Sequence, residues 1–296
     1  MRVFITGATG GIGSAVVPEL LSAGHEVVGL ARSEASEKRL ADAGASAVRG
    51  DLSTLDVLRD AAARSDGVVH LAFSNDFANF GRSAEDERLA VEAMGEALRG
   101  TGKPLVLASG TPAVPGRTAT EEDVVVAAGP VGARGATAEY VAGLVDSEVR
   151  SVFVRLPRCV HEASVAYGFA SVLIDAAQRS GVSGFVGDGS QRWPAVHRLD
   201  AARLFRLGLE DGGPGAALHA VGDEGVTMRS IADVIGRRLG LPVRSVPAED
   251  FGFLGTIFGV DQPASSAVTR HRYGWEPTHP GLIDDLTTGA YPPPRG

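Results

Sequence analysis

Short apolar runs alternate with amphipathic stretches through the first half of the chain. Runs at 2–6, 26–30, 46–49, 67–71, 104–108 and 151–156 are rich in β-branched residues and largely apolar along their length, the signature of strands buried on both faces. Between them, 15–23, 34–43, 54–64, 83–99 and 137–149 carry helical spacing. Strand and helix in alternation predict an α/β fold, a doubly wound parallel sheet with helices on both faces. Ligands of such sheets gather at the carboxyl ends of the strands, so the residues just after each strand carry the functional reading.

After Pro157 the rhythm changes. Helices are predicted at 165–179, 198–210 and 228–239, and short strands at 217–221 and 243–246. Glycine-rich turns at 181–189 and 212–215 separate them, together with the polar-aromatic run Arg192-Trp193-Pro194-Ala195-Val196-His197. No internal repeat is evident, and the one biased tract is the proline-rich stretch at 291–296. The expected organisation is a nucleotide-binding core over 1–156. A smaller, mainly substrate-binding region over 157–296 then packs on it as one unit.

The break after the first strand reads TGATGGIG. Strand, glycine turn and helix in that order turn a glycine pattern into a pyrophosphate site, here built from Thr6, Gly7, Thr9, Gly10, Gly11, Ile12 and Gly13. Gly7 permits the tight turn, Gly10 lets backbone approach the pyrophosphate, and Gly13 lets the helix pack close on the strand. The N–H groups that open the helix face the anion.

The second strand ends in Ala31-Arg32-Ser33. An acidic residue at this place holds the ribose 2′-OH of NAD, whereas arginine suits a 2′-phosphate and binds it through two parallel N–H groups. Arg32, helped by the Ser33 hydroxyl, therefore predicts NADP(H). Asp51 is expected to accept from the adenine amino group while Leu52 packs on the ring. Leu71, Ala72 and Phe73, closing the fourth strand, would line the ribose and pyrophosphate; His70 before them reads as a packed sheet histidine. Ala108 is placed beside the cofactor at the end of the fifth strand.

Composition narrows the partners. The 296 residues are 44% apolar and 22% charged, ample for a core. A net charge of −8 argues against nucleic acid, which requires clustered positive charge. No apolar run is long enough to span a bilayer, and no leader pattern precedes the first strand, so no membrane partner is expected. A single cysteine, Cys159, forms no internal disulfide and fits a reducing, cytoplasmic setting. The seven histidines show no metal-ligand spacing, which predicts no metal. The remaining partner is a small-molecule substrate, bound by a monomer or homodimer.

These motifs resemble the short-chain dehydrogenase/reductase superfamily. TGATGGIG at 6–13 matches its extended and atypical branches, and Gly50-Asp51-Leu52 matches their adenine site. In the second half, VRLPRCVHE at 154–162, GDGSQRWPAVHRLDAARL at 187–204 and PASSAVTRHRYGWEPT at 263–278 are similar to an atypical subgroup close to the nucleoside-diphosphate-sugar epimerases. The resemblance covers essentially the whole chain and implies a Rossmann-type sheet with a C-terminal substrate-binding region. Through its ketoreductase members, it implies NADPH-dependent reduction of a carbonyl on an angucyclinone-like aromatic polyketide in antibiotic biosynthesis. It places Pro157 and Cys159 in the loop passing the nicotinamide. It also places Trp193 and His197 near the substrate pocket; His161 reads either as a pocket donor or as a structural residue, and Asp200 as orienting the helix that follows.

The superfamily's usual chemistry uses a serine after strand five and a Tyr-x-x-x-Lys on the next helix; the tyrosine protonates the carbonyl oxygen and the lysine lowers its pKa. Ser109 stands at the serine position, but no lysine follows Lys103, and Tyr140 meets Leu144 where the lysine belongs. The family pattern places its tyrosine about 23 residues, roughly six helical turns, before the end of strand six. That lands near Arg134, with Ala138 in the lysine position. Ser109 is thus the leading oxyanion donor, Thr111 a weaker one and Tyr140 the weakest. Positioning of the reactants supplies the rest, with a phenol of the substrate or water sharing the oxyanion.

The stretch AEDFGFLGTIFGV at 248–260 carries Phe251, Phe253, Leu254 and Phe258 among three glycines. It reads either as a core helix or as a glycine-hinged lid over a flat apolar ligand. Two other functions stay open: a sugar-nucleotide epimerase or dehydratase, and a non-catalytic NADP(H) sensor or scaffold.

Overall fold

The computed structural model describes residues 1–74, 79–124, 134–163, 165–289 and 291, with the side chains of Phe253 and Thr256 outside the description. The chain opens as β1 (Arg2–Thr6), α1 (Gly13–Ser22), β2 (Glu26–Ala31), α2 (Glu34–Asp42), β3 (Ser46–Arg49) and α3 (Leu55–Ala63). It continues as β4 (Gly67–His70), α4 (Phe80–Leu98), β5 (Pro104–Gly110), α5 (Gly135–Gly143) and β6 (Arg150–Leu156). Next come β7 (Cys159–His161), α6 (Gly168–Ser180), β8 (Ser183–Phe185), β9 (Arg192–His197), α7 (Arg198–Asp211) and β10 (Ala216–His219). The last described elements are β11 (Asp223–Thr227), α8 (Met228–Leu239), β12 (Val243–Ser245), α9 (Gly255–Phe258), α10 (Ala267–Tyr273) and α11 (Leu282–Thr288).

Two compact units are formed, each discontinuous in sequence. The first takes 1–109, 125–155 and 202–218; the second takes 110–124, 156–201 and 219–296. In the first, seven strands lie in the order β10-β6-β5-β4-β1-β2-β3. β1 runs parallel to both β2 and β4, β2 to β3, and β4 to β5. The order turns back at β1, which puts the crevice at its carboxyl end, where α1 begins. The strands hold this position because Val3, Phe4, Ile5, Val68, Leu105 and Val106 are fully buried between helical layers. Parallel strands buried on both faces cannot alternate apolar with polar, which is why the sequence shows them as apolar runs.

Differences from the expected elements are instructive. The helix expected at 137–149 stops at Gly143 and tightens into a 3-10 turn, Leu144–Ser147, which closes with Glu148 in the left-handed region. The strand expected at 217–221 is β10, and it joins the main sheet as its edge.

The second unit holds a three-stranded sheet, β11-β9-β7, and a two-stranded one, β12-β8. The run 192–197 is β9, parallel to β7 and antiparallel to β11, and β8 lies inside the stretch expected to be turns only. A strand of three residues is too short to show a period. The core of this unit gathers Trp193, Phe258, Met228, Ile231, Leu282 and Leu286. Among the described residues no helix is long and apolar enough to cross a membrane.

Candidate cofactor and active site

The glycine turn has the tight geometry its spacing requires. Gly7 sits at φ +70, and a Cβ there would lie 2.8 Å from the backbone nitrogen of Ala72, so only glycine lets the turn press against the chain leaving β4. A Cβ on Gly13 would lie 2.1 Å from the Gly7 carbonyl oxygen, so α1 starts in contact with the turn. The Gly10 N–H closes the turn onto the Gly7 carbonyl at 2.9 Å. Ile12 is buried, while Thr9, Gly10 and Gly11 keep exposed surface. A cradle that a single added carbon would fill fits a dinucleotide pyrophosphate.

At the end of β2, Arg32 is exposed and forms no ion pair among the described residues. The Ser33 hydroxyl is the N-cap of α2, accepting from the Ser36 N–H at 3.2 Å and lying 3.1 Å from the Ser36 hydroxyl. Ser36 links it to Arg39, whose Nη2 donates to the Ser36 hydroxyl at 3.3 Å. Arg39 escaped the sequence reading, although its i+3 spacing from Ser36 on an exposed helix was the available signal. Asp51 closes a small turn: the Ser53 hydroxyl and N–H donate to its carboxylate at 2.6 and 2.9 Å and hold its pKa below the ordinary value. Leu52 is half-buried against the core.

The ends of β1, β4 and β5 carry a buried polar chain. The Ala72 N–H donates to the Thr6 hydroxyl at 3.3 Å, and that hydroxyl shares a hydrogen bond with His70 Nδ1 at 2.8 Å. His70 is the packed sheet histidine expected, 1% exposed, with Nε2 3.8 Å from the carboxylate of Glu87. Burial, and then the Arg134 charge, push the His70 pKa down to about 3, so the imidazole is neutral. Glu87 is fully buried, and burial raises its pKa against the opposing pull of Arg134.

Arg134 grips Glu87 through Nε and Nη2, donates from Nη2 to the Ala108 carbonyl at 3.1 Å, and lies over the Phe73 ring at 4.4 Å. Phe73 is therefore the stacking partner of an arginine. Beside Ala108, the Ser109 hydroxyl is sealed and has no partner. Thr111 is more constrained: Gln262 Nε2 donates to its carbonyl at 2.6 Å and lies 3.4 Å from its hydroxyl.

Tyr140 does not belong to this constellation. Its hydroxyl reaches the Glu92 carbonyl at 3.3 Å and Glu96 at 3.4 Å, and the ring packs on Gly95 of α4. Burial and then Glu96 push its phenol pKa up, opposite to what a neighbouring lysine would do.

In the second unit most of the expected ligand-facing residues are interior. Cys159, in β7 just after the buried Pro157, is 2% exposed, and burial pushes its thiol up to about 12; its side chain packs in the core rather than facing a cofactor. His161 is fully buried, its Nδ1 paired with Asp285 at 2.7 Å and its Nε2 sealed without a partner, so it sits in the interior and not at a pocket surface. Trp193 is fully buried, its ring 5.3 Å from that of Phe258 and its Nε1 donating to the Val260 carbonyl at 3.2 Å. His197 is buried and stacked on His279 at 4.6 Å. Asp200 secures a later segment instead of its own helix, accepting from the N–H groups of Thr278 and His279 at 3.0 and 3.1 Å.

The stretch 248–260 folds as a 3-10 helix, Ala248–Leu254, kinked at Gly252, followed by α9. Phe258 is 1% exposed, and Phe251 and Leu254 pack on the same core, which favours core packing over a lid; the Phe253 side chain lies outside the described residues. Phe251 also borders a cavity of about 220 Å³ lined by Leu173, Met228, Ile231, Arg244 and Asp250.

His197, Asp200 and His279 bring potential ligand atoms within 4.8 Å of one another. The two imidazole planes are 9° from parallel, so their in-plane lone pairs run side by side instead of converging on one ion. His279 Nδ1 already meets Asp200 at 2.9 Å.

Residues 3–220 match the family model described as the NAD dependent epimerase/dehydratase family. A Saccharomyces cerevisiae protein, "Uncharacterized protein YLL056C", is 44% identical over 97% of this chain and 98% of its own length. "Uncharacterized protein C2A9.02" of Schizosaccharomyces pombe is 42% identical over 98% of this chain and the whole of its own. Among solved structures, the Thermus thermophilus UDP-glucose 4-epimerase in complex with NAD superposes with a TM-score of 0.76 at 20% identity, covering 98% of each chain.

Proposed function

The chain belongs to the NAD dependent epimerase/dehydratase family, and from that premise we propose that it is an NADP(H)-dependent reductase acting on a carbonyl without a Tyr-Lys pair. The observation that carries this reading is the arrangement around β5. Arg134, near which the family pattern would have its tyrosine, is locked to Glu87 and the Ala108 carbonyl, beside an unpartnered Ser109 hydroxyl. The glycine turn of Gly7, Gly10 and Gly13 would hold the pyrophosphate, and Asp51 and Leu52 the adenine. When bound, the nicotinamide supplies hydride to the substrate carbon.

The protein's own contribution is positioning and hydrogen bonding. Ser109 donates to the carbonyl oxygen as negative charge develops, and the Arg134–Glu87 pair fixes the strand end that carries it. Arg134 is already bound to a carboxylate and carries no labile proton near neutrality, so it positions and does not act as an acid.

NADP selectivity rests on Arg32, supported by Arg39 one helical turn beyond Ser36. Arg32→Ala is expected to weaken NADPH binding by about tenfold or more and NADH binding little, read by cofactor fluorescence titration. Equal losses for both cofactors would remove the selectivity reading.

The substrate class carried from the sequence is a large aromatic, angucyclinone-like ketone, and its support is the sequence resemblance alone. The test follows NADPH absorbance with anthraquinone-like and angucyclinone ketones and identifies products by mass. Consumption with a reduced product is expected, and Ser109→Ala should retain measurable turnover. No consumption on any ketone, with cofactor binding intact, would favour the sensor reading.

A second reading, transient oxidation of a sugar nucleotide, draws support from the structural neighbours, of which one is a UDP-glucose 4-epimerase. That chemistry needs a base at the carbinol. No lysine follows Lys103, and the Tyr140 hydroxyl faces α4. Incubation with NAD and UDP-glucose, followed by chromatographic separation of the epimers, decides it: isomerisation would overturn the reductase reading.

A further inference from the structure

Arg158 differs from Arg134, Arg150 and Arg198, three other partly or fully buried arginines. Arg134 is neutralised by Glu87 and Arg198 by Glu162. Arg150 has no carboxylate but gives its N–H groups to the carbonyls of Leu209, Glu210 and Gly212. Arg158, just beyond β6, has none of these. Among the described residues its one hydrogen-bond acceptor is the Gln262 side-chain oxygen, reached from Nη2. Its Nε–H is sealed from solvent and donates to nothing, and Nη1 has no partner among the described residues. Burial, unopposed by any acid, depresses its pKa to about 10.

The surroundings hold this charge in place without cancelling it. Gln262 cannot turn away, because its Nε2 donates to the Thr111 carbonyl at 2.6 Å and its own N–H donates to the Arg192 carbonyl at 2.9 Å. The amide oxygen is thereby committed to Arg158. On one side the guanidinium lies 5.9 Å from the centre of the fully buried Trp193 ring. A neutral amide and an aromatic face orient a cation, but neither neutralises it, and a desolvated charge without a counter-ion is costly. A site that keeps such a charge is complete only when an anion arrives.

We propose that Arg158 is an anion-recognition residue of the second unit, and that its ligand presents an oxyanion, a carboxylate or phosphate group, to the open Nη1 edge of the guanidinium. The assignment rests on the reductase reading only in taking that ligand to be the substrate. It deepens that reading by requiring a substrate with an acidic group as well as a ketone.

The test uses the full chain saturated with NADPH. Thermal unfolding is followed against sodium benzoate and, separately, sodium phosphate, each at constant ionic strength with chloride as reference. The melting temperature of the wild type is expected to rise with at least one of the two. Arg158→Met should abolish the rise, and Arg158→Lys, which keeps the charge but loses the planar fork, should need about tenfold more anion. A response to benzoate alone assigns a carboxylate ligand, and one to phosphate alone a phosphate ester. A wild type indifferent to both anions, or variants that respond as the wild type does, would overturn the proposal; if Arg158→Met does not fold, the Arg158→Lys comparison decides alone. NADPH affinity, titrated in parallel, is expected to be unchanged in both variants. Loss of cofactor binding by the wild type itself would count against the reductase reading and not against Arg158.

Discussion

The two units treat their distinctive residues in opposite ways. In the first, the glycine turn, Arg32 and Asp51 remain at strand ends with exposed surface, where a ligand can meet them, and the Ser109 hydroxyl beside them is sealed but unpartnered. In the second, the residues that look most like a binding site, Trp193, His161, His197 and Phe258, are interior and matched to one another or to acids. A dinucleotide cradle is made by local turns that follow each strand, so chain neighbours stay site neighbours. A small second unit must still build a core, and its large aromatics are the first residues recruited to it.

The contrast breaks most readily at Trp193. Trp193→Ala should destabilise the protein by about 3–5 kcal/mol, the cost of emptying a packed aromatic site, measured by denaturant unfolding. Unchanged stability with a raised KM would restore Trp193 to the substrate pocket.

His70 offers the next effect. Its folded pKa, about 3, lies below the ordinary histidine value of 6.5, so the unfolded chain binds the extra proton. Stability should therefore fall as pH drops from 6.5 toward 3, with a contribution from this residue of at most about 1.4 kcal/mol per pH unit. His70→Asn should make the slope shallower by one proton in that window, and an unaltered slope would show that His70 is protonated in the fold.

Tyr140 should give the smallest effect. Tyr140→Phe removes a hydroxyl with two long contacts, to the Glu92 carbonyl and Glu96, on a half-exposed face and is expected to change stability by about 0.5 kcal/mol or less, leaving turnover unaffected. A large loss of turnover with intact cofactor binding would return the tyrosine to the chemistry.

The cofactor side was legible because its signals are short-range. Gly13 is required by contacts with Gly7 and Ala8 only a few residues away, Gly7 by its own positive φ as well as by Ala72 across the sheet, and β1 to β5 announce themselves as apolar runs. Arg39 was missed because an exposed arginine on a helix is ordinary until Ser36 connects it to Ser33. Glu87 was missed for a stronger reason: in α4 it reads as one more surface acid, and only Arg134, 47 positions later, explains its burial. In the second unit, β8 is too short for periodicity, and Asp200 acts on Thr278 and His279, 78 and 79 positions away.

The sequence by itself determined the parallel sheet, the phosphate turn, the arginine where an acid selects NAD, and the missing lysine, since each depends on local pattern or on residue identity. Tertiary structure decided which polar and aromatic residues face a ligand. Burial and pairing are relations between distant positions: they placed Trp193 and His161 in the interior, bound Arg134 to Glu87, and left Arg158 with an amide where its counter-charge would be.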